Sequence, residues 1–80
     1  YKPCYLASNV LILGRILSFK RERRILSKYE AGMWMAENVP QSLKYLPERA
    51  MKIWFVGEAL DLPEDDLEKL RKYLIAEIQQ

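Results

Sequence analysis

Residues 6–19, LASNVLILGRILSF, constrain the fold of this chain more than any other stretch. Leu6, Val10, Leu11, Ile12, Leu13, Ile16 and Leu17 cover more than one stripe of a helical surface. A helix over about Cys4–Phe19 therefore has to be central, with other elements covering most of its sides. It is not a membrane span. The longest uninterrupted apolar run, Val10–Leu13, is stopped by Gly14 and Arg15, well short of the ~18–20 apolar residues a bilayer requires. The cover must come from the rest of an 80-residue chain, which is enough for a single domain over residues 1–80. A domain of this size buries only ~60–65% of the surface its unfolded chain exposes.

Three further helices supply that cover. Ser27 and Glu30 in "SKYE" have the spacing of a capping box, in which the serine oxygen accepts from the Glu30 amide and the glutamate reaches back. Tyr29, Met33, Trp34 and Ala36 give this second helix its apolar side, and Pro40 ends it near Val39. Pro47 suits the first turn of a third helix that continues through Ala50, Ile53, Trp54 and Phe55 to Gly57. Pro63 suits the start of a fourth, with Glu64, Asp65 and Asp66 in the turn where the helix dipole favours acids. Leu67, Leu70, Leu74 and Ile78 mark its buried face. No segment has strand periodicity. The expected fold is all-α, a small bundle of about four helices.

Composition removes several kinds of chemistry. Without histidine there is no Ser–His or Cys–His nucleophile, no Cys/His zinc site, and no arginine–histidine motif of a helical ribonuclease toxin. Three scattered glycines make no phosphate loop. Glu64, Asp65 and Asp66 are consecutive, point different ways, and read as helix-start charge rather than metal ligands. The lone Cys4 cannot form an internal disulfide, which fits a reducing cytoplasm. The chain opens on Tyr1 rather than Met and is expected to be a piece of a longer protein.

The charge is uneven. Arg15, Lys20, Arg21, Arg23, Arg24 and Lys28 face one acid, Glu22, whereas seven acids face three bases from Glu58 onward. The bland reading is two solvated surfaces that attract each other; the alternative is a basic segment that receives an anion. Arg15 stands out, because a guanidinium buried in an apolar run needs a partner. That partner is Glu30, Glu48, or a phosphate held by the guanidinium fork. Lys28 opens the capped helix, where free amides and the dipole favour an anion. Either cation alone reads as structural; the two, joined by one turn, can face the same point. Trp34 and Trp54 read as core anchors, or as an indole at a cleft edge that stacks on a base.

"NVLILGRIL", "ILSKYEAGMW", "VP" and an aromatic late in the next helix together resemble the C-terminal helical domain of aminoglycoside (streptomycin/spectinomycin) adenylyltransferases. The resemblance runs from about Leu6 to Leu60 and is densest at Arg15 and at Ser27–Trp34. It implies an antibiotic-resistance nucleotidyltransferase. Its N-terminal domain would carry a Gly-Ser turn and an Asp-x-Asp pair for magnesium, and the drug would bind between the domains. The helical domain would close over ATP, with Arg15 and Lys28 on the triphosphate, Trp54 beside the nucleotide and Trp34 a packing residue. The chain alone would not catalyse, since it lacks the carboxylates for two metal ions.

The sequence departs from that family pattern in two places. Trp54 stands where tyrosine is common, and no Asp or Glu precedes Arg15, where drug-modifying members place acids for a polycation. Either such acids lie upstream of Tyr1 or the acceptor is not an aminoglycoside. A reading from another class is a free-standing helical adaptor whose "KRERR" segment contacts nucleic acid or an acidic protein. An apolar patch formed by part of Met33, Met35, Trp54 or Phe55 is expected where the missing domain docks, with self-association as its symptom.

Overall fold

The computed structural model describes residues 3–57 and 64–80, and side chains for 5–57 and 66–80. Among these residues every regular element is a helix, with no strand. Helix α1 spans Pro3–Glu22 and α2 Lys28–Asn38. A 3-10 turn over Gln41–Leu43 leads into α3, Tyr45–Met51, which opens into a π turn, Lys52–Val56. Helix α4 spans Glu64–Ile78. Pro63 and the side chains of Cys4, Glu64 and Asp65 lie outside the described residues. No described helix is long and apolar enough to cross a membrane.

The central position of α1 follows from its composition, and α2, α3 and α4 all pack on it. Its Leu6, Val10, Leu11 and Leu17 are buried against Trp34 and Met35, Leu46, Ala50 and Ile53, and Leu67, Leu70 and Leu74. Each fully buried leucine contributes about 1.5–3 kcal/mol over an exposed one. Two glycines set the spacing of the layers. A Cβ on Gly14 would stand 2.5 Å from Met35 Sδ, and one on Gly32 would stand 2.5 Å from Met51 Cγ. Backbone therefore fits against side chain at both crossings.

The local signals hold where chemistry is local. Ser27 Oγ accepts from the Glu30 amide at 3.1 Å, and the Glu30 carboxylate accepts from the Ser27 amide at 3.0 Å. Val39 caps the end of α2. Pro47 lies in the first turn of α3 and Gly57 closes the π turn at φ 76°.

Three expectations need correction. Ile12 and Ile16 are not core: they lie on a face of α1 that no described helix covers, and Arg15 is exposed there with them. The inner face of α2 is Ala31, Gly32, Trp34 and Met35, so Tyr29 and Met33 point outward; close approach to α1 selects the small residues. Met35, offered as part of an exposed patch, is fully buried, while Met33, Trp54 and Phe55 are exposed.

The basic segment is largely committed to the fold. Lys20 Nζ donates to the carbonyls of Glu77 at 3.0 Å and Ile78 at 2.7 Å, at the end of α4. A cation there satisfies orphan carbonyls and complements the helix dipole. Arg21 pairs with Glu77, and Arg24 approaches Glu22 at 3.7 Å. Beyond α1, Arg23 takes the left-handed conformation at φ 58°, its amide donating to Phe19 O at 2.8 Å. This is a helix-ending position that suits glycine, and a residue with a Cβ adopts it at a cost of about 1 kcal/mol.

Candidate functional site

Lys28 is positioned from three directions. The capping box fixes the first turn of α2, so Lys28 leaves the helix start toward α1, where its Nζ donates to Ser8 Oγ at 3.0 Å. From α3 the π turn brings Trp54 across, and the ammonium lies 4.0 Å from its ring centroid. Phe55, the next residue, meets Tyr29 edge-on with ring centroids 5.9 Å apart, which ties the π turn to the first turn of α2. Trp54 is 39% exposed, so part of the indole remains open to solvent.

Arg15 stands two turns along the same face of α1 from Ser8, about 10.5 Å by helical rise. Its Nε donates to Leu26 O at 2.8 Å, just ahead of the Ser27 cap. This bond fixes the plane of the guanidinium. Among the described residues its two Nη groups have no hydrogen-bond or ion-pair partner, which leaves one edge of the fork oriented and free. The sequence argument for Arg15 rested on burial, and that premise is wrong: the residue is exposed and needs no internal counter-charge. Neither expected carboxylate pairs with it. Glu30 is spent on the capping box, and Glu48 reaches Lys52 at 3.4 Å.

The two cations thus share a face of α1 and the approach to one helix start, but they do not line a single enclosed pocket. Arg15 borders an open groove of about 410 Å³ with Ile12, Ile16, Phe19, Ile25 and Leu26, whereas Lys28 belongs with Ser8 and Trp54. Trp34 is 7% exposed and donates from Nε1 to Glu22 Oε2 at 2.6 Å, a packing role. Ser8 and the Leu26 carbonyl were not anticipated. Ser8 lies seven residues before Arg15, a helical spacing that would have placed it beside the site. No sequence signal marks a backbone carbonyl as an arginine's anchor.

Among the described residues, no group of three or more His, Cys, Asp or Glu stands close enough together to hold a metal ion. The site is cationic and aromatic: two positive groups on a rigid face, free α2 amides and an open indole. This combination suits a polyanion that carries a flat ring.

No curated relative and no solved structure matches the chain. The family model of the aminoglycoside adenylyltransferase C-terminal domain matches residues 1–77, nearly its whole length and well beyond the stretch that carries the resemblance in sequence. With the helical fold that such a domain implies, this chain belongs to the aminoglycoside adenylyltransferase C-terminal domain family.

Proposed function

We propose that this domain holds the polyphosphate of ATP for nucleotidyl transfer carried out together with an N-terminal catalytic domain. The observation that carries the reading is Lys28, held between Ser8 and the Trp54 ring at the start of α2, on the same α1 face as the free guanidinium edge of Arg15. In adenylyl transfer an acceptor hydroxyl attacks the α-phosphorus and pyrophosphate leaves. Negative charge then grows on the departing phosphates, and fixed cations lower the barrier by neutralising it. Arg15 supplies a flat two-pronged donor and Lys28 a compact charge. Lys28 is anchored at Ser8, two turns of α1 before Arg15, so a triphosphate laid along that face meets both when the side chains reach toward it. Trp54 offers its exposed part to the base or ribose. Magnesium would arrive with ATP, its carboxylates supplied by the partner domain.

The acceptor is a small hydroxyl-bearing molecule, and the family's name makes an aminoglycoside the first candidate, with antibiotic resistance as the consequence. On this face Tyr5 and Ser8 precede Arg15 where carboxylates would suit a polycation, so a drug's ammonium groups need acids from elsewhere in the enzyme. The ATP supply and the lone thiol both fit a cytoplasmic enzyme. The adaptor reading draws less support, because Lys20 and Arg21 of its basic segment are engaged by α4.

The test is a titration of the chain with ATP–Mg²⁺ and with a scrambled oligonucleotide, followed by Trp54 emission over the constant background of buried Trp34. Preference for ATP–Mg²⁺, lost in Lys28→Met, supports the clamp. Stronger oligonucleotide binding with a steep salt dependence supports the adaptor.

A further inference from the structure

The groove beside Arg15 is lined mostly by apolar side chains. Ile12, Ile16 and Phe19 succeed one another at i, i+4 and i+7 along α1, 39%, 46% and 44% exposed, and Ile25 beyond the helix is 83% exposed. Four large apolar side chains gathered in one open groove mark an interaction site rather than scattered surface residues. Its charges have one sign. Arg15 lines the groove, the Arg23 guanidinium stands 5.7 Å from the Phe19 ring centroid, and no carboxylate is among the lining residues.

Arg23 is an independent pointer. It occupies a left-handed backbone position at φ 58°, where glycine is at ease and arginine is not. The result of that conformation is a guanidinium poised over an exposed phenyl ring at the groove's edge. A strained residue that delivers a functional group to an open surface points to use of that group.

We propose that this groove docks an acidic amphipathic helix carried by the catalytic domain that accompanies this one, an inference that rests on the two-domain enzyme proposed above. Apolar residues at i, i+3 or i+4, and i+7 of that helix would lie along Ile12, Ile16, Phe19 and Ile25, with Asp or Glu on its flank facing Arg23. The groove is too open to enclose most of a small molecule, as a ligand pocket does. A second copy of the chain would bring the same two arginines against themselves.

The test uses a synthetic helix-forming peptide with leucine at i, i+3, i+4 and i+7 and glutamate elsewhere, and a counterpart with lysine in place of glutamate. The acidic peptide is expected to bind and the lysine peptide to fail. Ile25→Asp and Arg23→Glu should each weaken the acidic peptide by about tenfold or more, since each removes a contact or reverses a charge at the interface. Arg23→Gly separates the two roles of that residue: the thermal midpoint rises while peptide affinity falls. Equal binding of both peptides overturns the proposal, as does affinity indifferent to Ile25→Asp. A dimer of the chain that Ile25→Asp abolishes also overturns it, in favour of a second copy. ATP–Mg²⁺ titration of Ile25→Asp keeps the readings apart. Loss of peptide binding with nucleotide binding intact bears on the groove alone; peptide binding by a chain that ignores ATP–Mg²⁺ refutes the nucleotide site alone.

Discussion

Replacing Lys28 by Met keeps the aliphatic stem and removes the charge that faces Trp54. A cation over an aromatic ring is worth about 0.5–1 kcal/mol when exposed and about 2 kcal/mol when desolvated. With Lys28 half-buried, its Nζ 4.0 Å from the ring centroid, and the indole 39% exposed, the interaction falls near 1 kcal/mol. The bond to Ser8 adds about 1 kcal/mol, offset in part by relief of a half-buried ammonium. That second contribution cancels in a double-mutant cycle with Trp54→Leu, because Ser8 is present on both sides of the comparison. The cycle should therefore return a coupling of about 1 kcal/mol, equivalent to a midpoint shift of about 4–8 °C in a domain of this size. Urea denaturation of the four proteins followed by far-ultraviolet circular dichroism measures it without using the altered tryptophan as reporter. A coupling below about 0.3 kcal/mol, within the additivity of distant sites, would refute a Lys28 held by Trp54.

Other outcomes follow from the packing and the cap. Gly14→Ala places a methyl 2.5 Å from the Sδ of fully buried Met35, which has nowhere to swing. Overpacking of about 1–3 kcal/mol should outweigh the gain of about 1 kcal/mol in helix propensity. Gly32→Ala meets chiefly Met51, a half-exposed side chain, with buried Leu11 Cδ2 3.3 Å away, so its destabilisation should be smaller than that of Gly14→Ala in denaturation. The Glu30 carboxyl is held below its ordinary value of 4.5, chiefly because it accepts from the Ser27 amide. A lowered acid stabilises the folded state above its unfolded pKa, and that contribution disappears as pH falls through the lowered value. Glu30→Gln should therefore flatten the loss of stability below about pH 4.5 in acid titrations, and an unchanged profile would contradict the box.

What could be read in the sequence follows how local the physics is. The capping box, the stop at Val39, the left-handed Gly57 and the Leu67, Leu70, Leu74 face are set within one or two turns, and each stands where the residues indicate. Helix α1 is different. Its residues are apolar nearly all round, so which face remains open depends on where the other three helices land. Ile12, Ile16 and Arg15 consequently looked internal and are not. The same holds for α2, whose inner face is chosen by the small size of Ala31 and Gly32 rather than by its largest apolar side chains. The pairing of Lys28 with Trp54 spans two helices and depends on a π turn, which no periodicity announces. Arg23 is the extreme case: nothing in "KRERR" distinguishes the arginine that takes a glycine's conformation from its neighbours.

The measurement closest to the central claim compares affinities for ATP–Mg²⁺, ADP–Mg²⁺ and AMP in the parent chain, Arg15→Met and Lys28→Met. If both cations hold one polyphosphate, affinity rises with phosphate number in the parent chain, and each variant loses about tenfold or more for ATP while AMP barely changes. Equal affinity for all three nucleotides, or losses independent of phosphate number, would mean that Arg15 and Lys28 do not share a polyphosphate.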